Sequence, residues 1–125
     1  AYKVAAGGLV ATPRDLARFG AAHFDDAWLG EAMFAEVFTS QTDGAGEETG
    51  CGLGWRIASD GPGRLIYHHG GSQQGCRAAL VVFPAQRVSV ALMGNLGGVP
   101  RGAERVAMEV ASAWLPASFP ESGGD

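Results

Sequence analysis

Glycines gathered in short groups between apolar runs are the feature that most restricts how this chain can fold. The 125 residues contain 20 glycines, which is about twice the usual share. They follow no collagen-like period and are not diluted by serine and proline, as in a flexible linker. Because glycine adopts turn conformations and lets backbones approach closely, the pattern predicts short elements joined by tight turns. The groups occupy residues 7–8, 50–54, 61–63, 70–75 and 94–98.

Helical signals flank the middle of the chain. Thr12 as N-cap, Pro13 at the first helical position and Asp15 in a capping box predict a helix that starts there. Spacings of three and four give each predicted helix one apolar face. The faces comprise Leu16, Phe19, Gly20 and Phe24 in the first helix, Met33, Phe34, Val37 and Phe38 in a second over residues 30–39, and Val106, Val110 and Trp114 in a last one between Pro100 and Pro116.

Between these helices the periodicity changes to that of strands. Turn signals separate four short apolar segments at residues 53–58, 64–69, 77–83 and 87–93. The third contains a continuous apolar run, Leu80 to Phe83, which is typical of a strand covered on both faces. Their short connections predict an antiparallel meander. The fold class is therefore predicted as α+β, with helices packed on one meander.

Composition and charge exclude several classes of function. A hydrophobic share of 46% is too high for a disordered chain, and a net charge of −4 without a basic block argues against nucleic-acid binding. No apolar run is long enough for a membrane-spanning helix, and residues 1–10 lack the pattern of a signal peptide. Cys51 and Cys76 have no clustered partners, so we expect no metal and no cofactor. Buried free thiols are the expectation, and a disulfide is the alternative if the two strand starts are neighbours.

The densest group of chemically useful residues runs from Tyr67 to Arg77. His68 and His69 are adjacent, and neighbouring side chains on a strand point to opposite faces, so at most one can face a given cleft. The glycines after them leave backbone N–H groups uncovered at the expected end of the strand, as in sites that hold an acyl oxygen. A glycine-rich hairpin beside ordinary half-buried histidines explains the same residues.

This group resembles part of a known enzyme family. His69-Gly70-Gly71-Ser72, an apolar strand ending at Pro84, a second apolar strand and Gly94-Asn95 occur in the order found in serine β-lactamases and penicillin-binding proteins. Class C β-lactamases and the related esterases and D-amino-acid peptidases are the most similar by pattern. Ala6-Gly7-Gly8-Leu9, Gly52-Leu53-Gly54-Trp55 and the C-terminal amphipathic helix agree, so the resemblance extends over residues 5–115.

The resemblance implies roles for individual residues. His69-Gly70-Gly71 matches the third catalytic motif, Lys-Thr-Gly or His-x-Gly, on the strand that lines the active site. Ser72 matches the position whose backbone N–H contributes to the oxyanion hole, and Asn95 matches an asparagine near the substrate carboxylate. The implied substrate is a small or peptide-like acyl compound. Because an imidazole is largely uncharged near neutral pH, His69 favours an esterase, amidase or D-peptidase over a specialised β-lactamase.

The family's nucleophile motif is absent from these residues. No serine is followed by lysine three positions later, Lys3 is the sole lysine, and no Tyr-x-Asn occurs. We therefore expect residues 1–116 to be the C-terminal segment of an incomplete β-lactamase-like domain, inactive without an N-terminal segment, and residues 117–125 to be a flexible tail. A catalytic group of Ser72, His69 and Asp60 is an alternative with little support, since the first two lie three residues apart on a strand.

A non-catalytic binding or regulatory module is the second hypothesis. A segment of a larger domain should leave the strand at residues 87–93 with an unpaired edge that promotes self-association, whereas a complete module should cover it. Trp28, Trp55 and Trp114 are expected in the core, and His23 at the surface near a helix end. The sequence does not identify the substrate or the compartment; members of the family that the chain resembles are often exported.

Overall fold

The computed structural model describes residues 7–25, 27–96 and 102–116. The predicted tail at residues 117–125 and the predicted helix start at Pro100 lie outside these ranges. Within these ranges, three helices and four strands follow one another as α1 (Pro13–Ala22), α2 (Glu31–Phe38), β1 (Arg56–Ser59), β2 (Leu65–Gln73), β3 (Cys76–Phe83), β4 (Val88–Gly94) and α3 (Ala103–Ala111). The α+β class is confirmed.

The four strands form one antiparallel sheet in the order β1-β2-β3-β4, as a meander. Helices cover both faces of this sheet, α3 on one and α1 with α2 on the other. The central strand β3 is accordingly buried from Ala79 to Phe83, as its continuous apolar run predicts. In β4, Val88, Val90 and Leu92 pack towards α3, while Ser89 donates a 2.9 Å hydrogen bond to the Ala17 carbonyl of α1.

The start of α1 follows from local sequence. The Thr12 hydroxyl accepts a hydrogen bond from the Asp15 N–H at 3.2 Å, and the Asp15 carboxylate accepts one from the Thr12 N–H at 3.4 Å. These reciprocal bonds satisfy N–H groups that a helix terminus otherwise leaves without partners. The predicted capping box is therefore confirmed.

The buried face of α3 differs from the predicted one. Its core contacts come from Ala103, Ala107, Ala111 and the following Leu115, whereas Val110 is 42% exposed and Trp114 is 70% exposed. Alanine side chains let the helix axis lie close to the sheet, which leaves the larger residues on the neighbouring stripe uncovered. Two other predicted core residues, Met33 and Trp28, are about half exposed. The prediction for Trp55 is confirmed, since it is 6% exposed.

The strand boundaries also differ from the predicted ones. The segment predicted at residues 53–58 pairs only from Arg56, because Gly54 adopts a left-handed backbone conformation with φ of 82°. Residues 64–69 form only the first part of β2, which continues through Gly70 and Gly71 to Gln73. The hairpin to β3 then closes over Gln74 and Gly75.

Candidate functional site

The glycine pair lies inside β2 rather than after its end. Gly70 pairs with Ala79, Gly71 with Ala78 and Ser72 with Arg77 across the β2–β3 ladder. This corrects the expectation that the strand ends at His69. The β3 partner holds the two glycines extended, although glycine alone has little preference for a strand.

Strand alternation assigns the predicted site residues to two faces of the sheet. Tyr67, whose ring packs with Phe38 of α2, marks the face shared by His69 and Gly71. Ile66 packs in the α3 cluster and marks the opposite face, shared by His68, Gly70 and Ser72. The Ser72 and His69 side chains therefore point away from each other.

Asp60, the third member of the alternative catalytic group, is held by Arg64. The Arg64 Nε donates to the Asp60 Oδ2 at 2.6 Å, and the Arg64 N–H donates to Oδ1 at 2.8 Å. Both residues lie at the β1–β2 turn, while Ser72 lies near the other end of β2. The alternative of a Ser72, His69 and Asp60 triad is therefore not supported by the geometry.

The outer edge of β2 is paired along only part of its length. β1 pairs with residues from Leu65 to His68, and within the described ranges no strand continues that pairing to His69, Gly71 or Ser72. Alternate backbone N–H groups of a strand edge point outward. Among the described residues, the second part of β2 thus has an open main-chain edge at the position of the predicted oxyanion donor.

A pocket of about 560 Å³ adjoins the end of the β2–β3 hairpin. It brings together three of the predicted site residues, namely Gly71, Ser72 and Asn95, although Asn95 comes from the segment after β4. Much of the remaining wall is apolar and includes Leu9, Ala11, Pro13, Ala78 and Met93. Neither His69 nor Gly70 lines this pocket. The predicted residues therefore converge only in part.

A smaller pocket of about 300 Å³ lies on the α3 face of the same strand. Gly70, Gly71 and Ser72 contribute to it, together with Arg56, Arg77 and Glu104 as charged residues. His68 lies next to Glu104, with 3.6 Å between its Nδ1 and Oε1. Burial lowers the pKa of His68; the Glu104 carboxylate opposes this effect, and Arg56 adds to it. Sequence reasoning did not single out Glu104, because nothing near it in the chain indicates a contact with β2.

His23 is buried, contrary to its predicted surface position. Its ring is 6% exposed and packs edge-to-face against four aromatic rings, with centroid distances between 4.6 and 5.4 Å. Nδ1 lies 2.9 Å from the Phe19 carbonyl oxygen. In the sequence, Phe19 lies four residues before His23 and Trp28 lies five residues after it. These two aromatic residues were the signal that could have indicated a buried position for His23. The four rings are those of Phe19, Trp28, Phe38 and Trp55.

We predict a pH dependence of folding stability from His23. Burial lowers its pKa below the ordinary value of 6.5, so below that value the unfolded chain binds more protons than the folded one. Stability is therefore full above pH 6.5 and falls as the pH drops towards the folded-state pKa. Urea unfolding at about pH 7.5 and about pH 5.5 measures this change. His23→Gln should reduce this change in the free energy of unfolding. It should not abolish the change, because the pKa of His68 is lowered as well. An unchanged pH dependence contradicts the prediction.

Both cysteines are exposed free thiols, which corrects the expectation that they are buried. Within the described residues, no group of three or more histidine, cysteine, aspartate or glutamate side chains could hold a metal ion. No helix among those residues is both long and apolar enough to cross a membrane.

Comparison with known proteins assigns the chain to a family. The family model described as Beta-lactamase matches residues 1–113, which include all the described strands and helices. A search of curated proteins returned no match. The chain therefore belongs to the Beta-lactamase family, and its function is related to that of serine hydrolases.

Proposed function

We propose that this chain forms one wall of the active site of a serine acyl hydrolase, and that the nucleophilic serine lies in polypeptide upstream of these residues. The observation that carries the proposal is the outer edge of β2 at Gly71 and Ser72, which no described strand pairs and which lies beside the larger pocket. A backbone N–H on such an edge is free to donate to a developing oxyanion. Gly71, which is exposed, leaves the main chain accessible on the face of the strand opposite to α3.

In the proposed reaction, the upstream serine hydroxyl adds to the carbonyl carbon of an ester, amide or β-lactam. Its proton passes to an upstream base and then to the leaving group as the carbon–leaving-group bond breaks. Water attacks the resulting acyl-enzyme, loses a proton to the same base, and releases the acid while the serine regains its proton. The N–H of Ser72 stabilises the oxyanion in both halves of the reaction.

The proposed substrates are neutral esters, amides or D-peptides rather than penicillins. Where a lysine would attract a substrate carboxylate by its charge, this chain carries His69, whose side chain is exposed. Leu9, Pro13 and Met93 give the adjoining pocket an apolar surface suited to an uncharged acyl or leaving group. Asn95 at its rim offers an amide to a polar group of the substrate.

The proposed upstream location of the nucleophile rests on the contacts of three described serines and on the absence of a motif. The Ser72 side chain faces α3, and the hydroxyls of Ser89 and Ser112 donate to backbone carbonyls at 2.9 and 2.6 Å. A serine needs a positioned base to attack a carbonyl at neutral pH, and the family uses a lysine three residues later. These 125 residues contain no such pair.

A fluorophosphonate probe tests the proposal. The 125-residue chain alone should remain unlabelled, whereas the protein that includes the upstream segment should be labelled mole for mole on a serine of that segment. Labelling of the short chain on Ser72, detected by mass spectrometry, contradicts the proposal. In the longer protein, kcat/KM should be higher for a neutral p-nitrophenyl ester than for a penicillin; the reverse preference contradicts the proposed substrate class.

Ser72→Ala in the longer protein separates the backbone role from a side-chain role. The alanine variant retains the backbone N–H, so kcat should change by less than about threefold, whereas loss of an oxyanion donor typically costs about a hundredfold. Steady-state kinetics with the neutral ester measures the difference. A loss approaching a hundredfold means that the hydroxyl itself takes part.

The non-catalytic module remains the alternative proposal, and the edge of β4 discriminates between the two. Within the described residues β4 pairs only with β3, and Val110 on α3 and Trp114 after its end expose apolar surface. Both features favour a segment that packs against further polypeptide. We propose that the isolated chain self-associates through the edge at residues 87–93. Light scattering should then give a mass above that of the monomer; a well-behaved monomer favours the module.

A further inference from the structure

Gly70 and Glu104 occupy complementary space. A Cβ built on Gly70 would lie 2.6 Å from the carboxylate carbon of Glu104 and 2.7 Å from each of its oxygens. These distances are shorter than any that a real side chain tolerates, so only glycine at position 70 lets this carboxylate rest against the strand. Glu104 lies in the first turn of α3, and its neighbour Ala103 is buried against the sheet. The docking of the helix therefore aims the carboxylate at β2.

His68 forms the second contact of the same carboxylate. Its side chain is 14% exposed, and 3.6 Å separates its Nδ1 from the Glu104 Oε1. Nδ1 is fully buried and has no hydrogen-bond partner within the described residues. The other charged or titratable groups near it are Arg56, which is its ladder partner on β1, and His69, the next residue of β2. Glu104 is thus the only anionic group near this imidazole among the described residues.

The strand needs support where this contact occurs. β1 stops pairing at His68, so only β3 holds the main chain from His69 onward among the described strands. Two consecutive glycines have more backbone freedom to lose than any other pair of residues, which makes an extended geometry costly there. Glu104 contacts the strand at the first of these glycines, on the face opposite to His69.

We propose that Glu104 is a positioning residue for the site strand: its carboxylate fills the space beside Gly70 and braces His68, and thereby fixes the main chain of Gly71 and Ser72. Its consequence for catalysis rests on the proposed function, whereas its effect on the strand does not. The Glu104 carboxylate occupies the volume beside the strand that a side chain at position 70 would otherwise fill. The contact also gives a physical reason for glycine at that position.

The first test uses the 125-residue chain and two matched variants, Glu104→Gln and Glu109→Gln. Both remove one negative charge from α3, but Glu109 pairs with Arg105 on an exposed part of the helix. Glu104→Gln should speed amide hydrogen exchange at Gly71, which pairs with Ala78 of β3, by about tenfold, while Glu109→Gln leaves it unchanged. NMR titration should also show a lower midpoint for His68 in Glu104→Gln alone, because the carboxylate raises the pKa of His68. Equal exchange rates and midpoints in the two variants overturn the proposal.

A second pair of variants addresses the complementary side of the contact. Gly70→Ala displaces the flexible carboxylate, so the His68 midpoint should fall as in Glu104→Gln, and Gly70→Ala with Glu104→Gln should lower it no further. Gly71→Ala is the control, because its Cβ would meet only the Ala78 Cβ at an ordinary 3.7 Å. If the changes in the His68 midpoint caused by Gly70→Ala and by Glu104→Gln add up in the double variant, the two residues do not share a contact.

Kinetics on the longer protein distinguish this inference from the proposed function. Glu104→Gln should lower kcat for the neutral ester by about tenfold with little change in KM, as expected when an oxyanion donor is misaligned. Unchanged kcat in an active enzyme overturns the positioning role alone. Absence of hydrolase activity in the unsubstituted longer protein overturns the proposed function, and the exchange and titration results still decide the role of Glu104 on the strand.

Discussion

Arg64→Ala should destabilise the fold by about 3–5 kcal/mol, the typical cost of removing one partner from a buried ion pair. The Arg64 side chain is 7% exposed and that of Asp60 is 14% exposed, so the remaining carboxylate would lie largely out of water. Arg64 also donates to the Pro116 carbonyl at 2.7 Å, and its guanidinium lies 5.8 Å from the centre of the Phe83 ring. One side chain therefore ties the β1–β2 turn to the segment after α3.

Urea unfolding followed by circular dichroism measures this loss. Arg18→Ala is the matched control, because Arg18 is 73% exposed and its closest approach to Asp15 is 3.9 Å. The control should change stability by less than about 0.5 kcal/mol. If Arg64→Ala unfolds within about 1 kcal/mol of the unsubstituted chain, the ion pair has no such role.

Gly52→Ala should destabilise the fold by about 3 kcal/mol through steric overlap with main chain. A Cβ at position 52 would overlap the Val37 carbonyl oxygen and lie 3.2 Å from its carbon. That carbonyl already accepts a hydrogen bond from the Leu53 N–H at 2.8 Å, so it cannot move away freely. Gly52 therefore lets the chain cross the end of α2 before Trp55 enters the core.

Gly61→Ala is the control for this substitution. Its Cβ would meet no atom within 4 Å, and Gly61 does not have the left-handed φ of its neighbour Gly63. Alanine there should change stability by less than about 0.5 kcal/mol or raise it slightly, because it restricts the unfolded chain. Equal thermal unfolding midpoints for the two variants contradict the close approach at Gly52.

The sheet could be predicted from the sequence, and the exact extent of its strands could not. The apolar run of β3 predicts a strand buried on both faces, and the alternation of larger apolar with small side chains in β4 predicts a strand from its period of two. The extension of β2 through Gly70 and Gly71 could not be predicted, since glycine gives no strand signal of its own. The β3 ladder partners Ala78 and Ala79 decide that geometry.

Some residues of the candidate site could be predicted from the sequence, and others could not. The family resemblance identified Gly71, Ser72 and Asn95, and the structure brings these three to one pocket. It does not bring His69 there, because the pocket adjoins the hairpin end of β2 and His69 lies further along the strand. Glu104 had no sequence signal, because its contact with Gly70 spans 34 positions of the chain.

The amino-acid sequence by itself determined the features that depend on neighbours in the chain, such as the capped start of α1 at Thr12 and the strand periods of the meander. Only the tertiary structure decided which stripe of α3 faces the sheet, that His23 is buried among aromatic rings, and that Glu104 meets Gly70. Capping and alternation arise from interactions within a few residues, so local sequence is sufficient for them. Burial and long-range contact depend on how closely separate elements pack, and the alanines of α3 allow an approach that their weak hydrophobicity does not indicate.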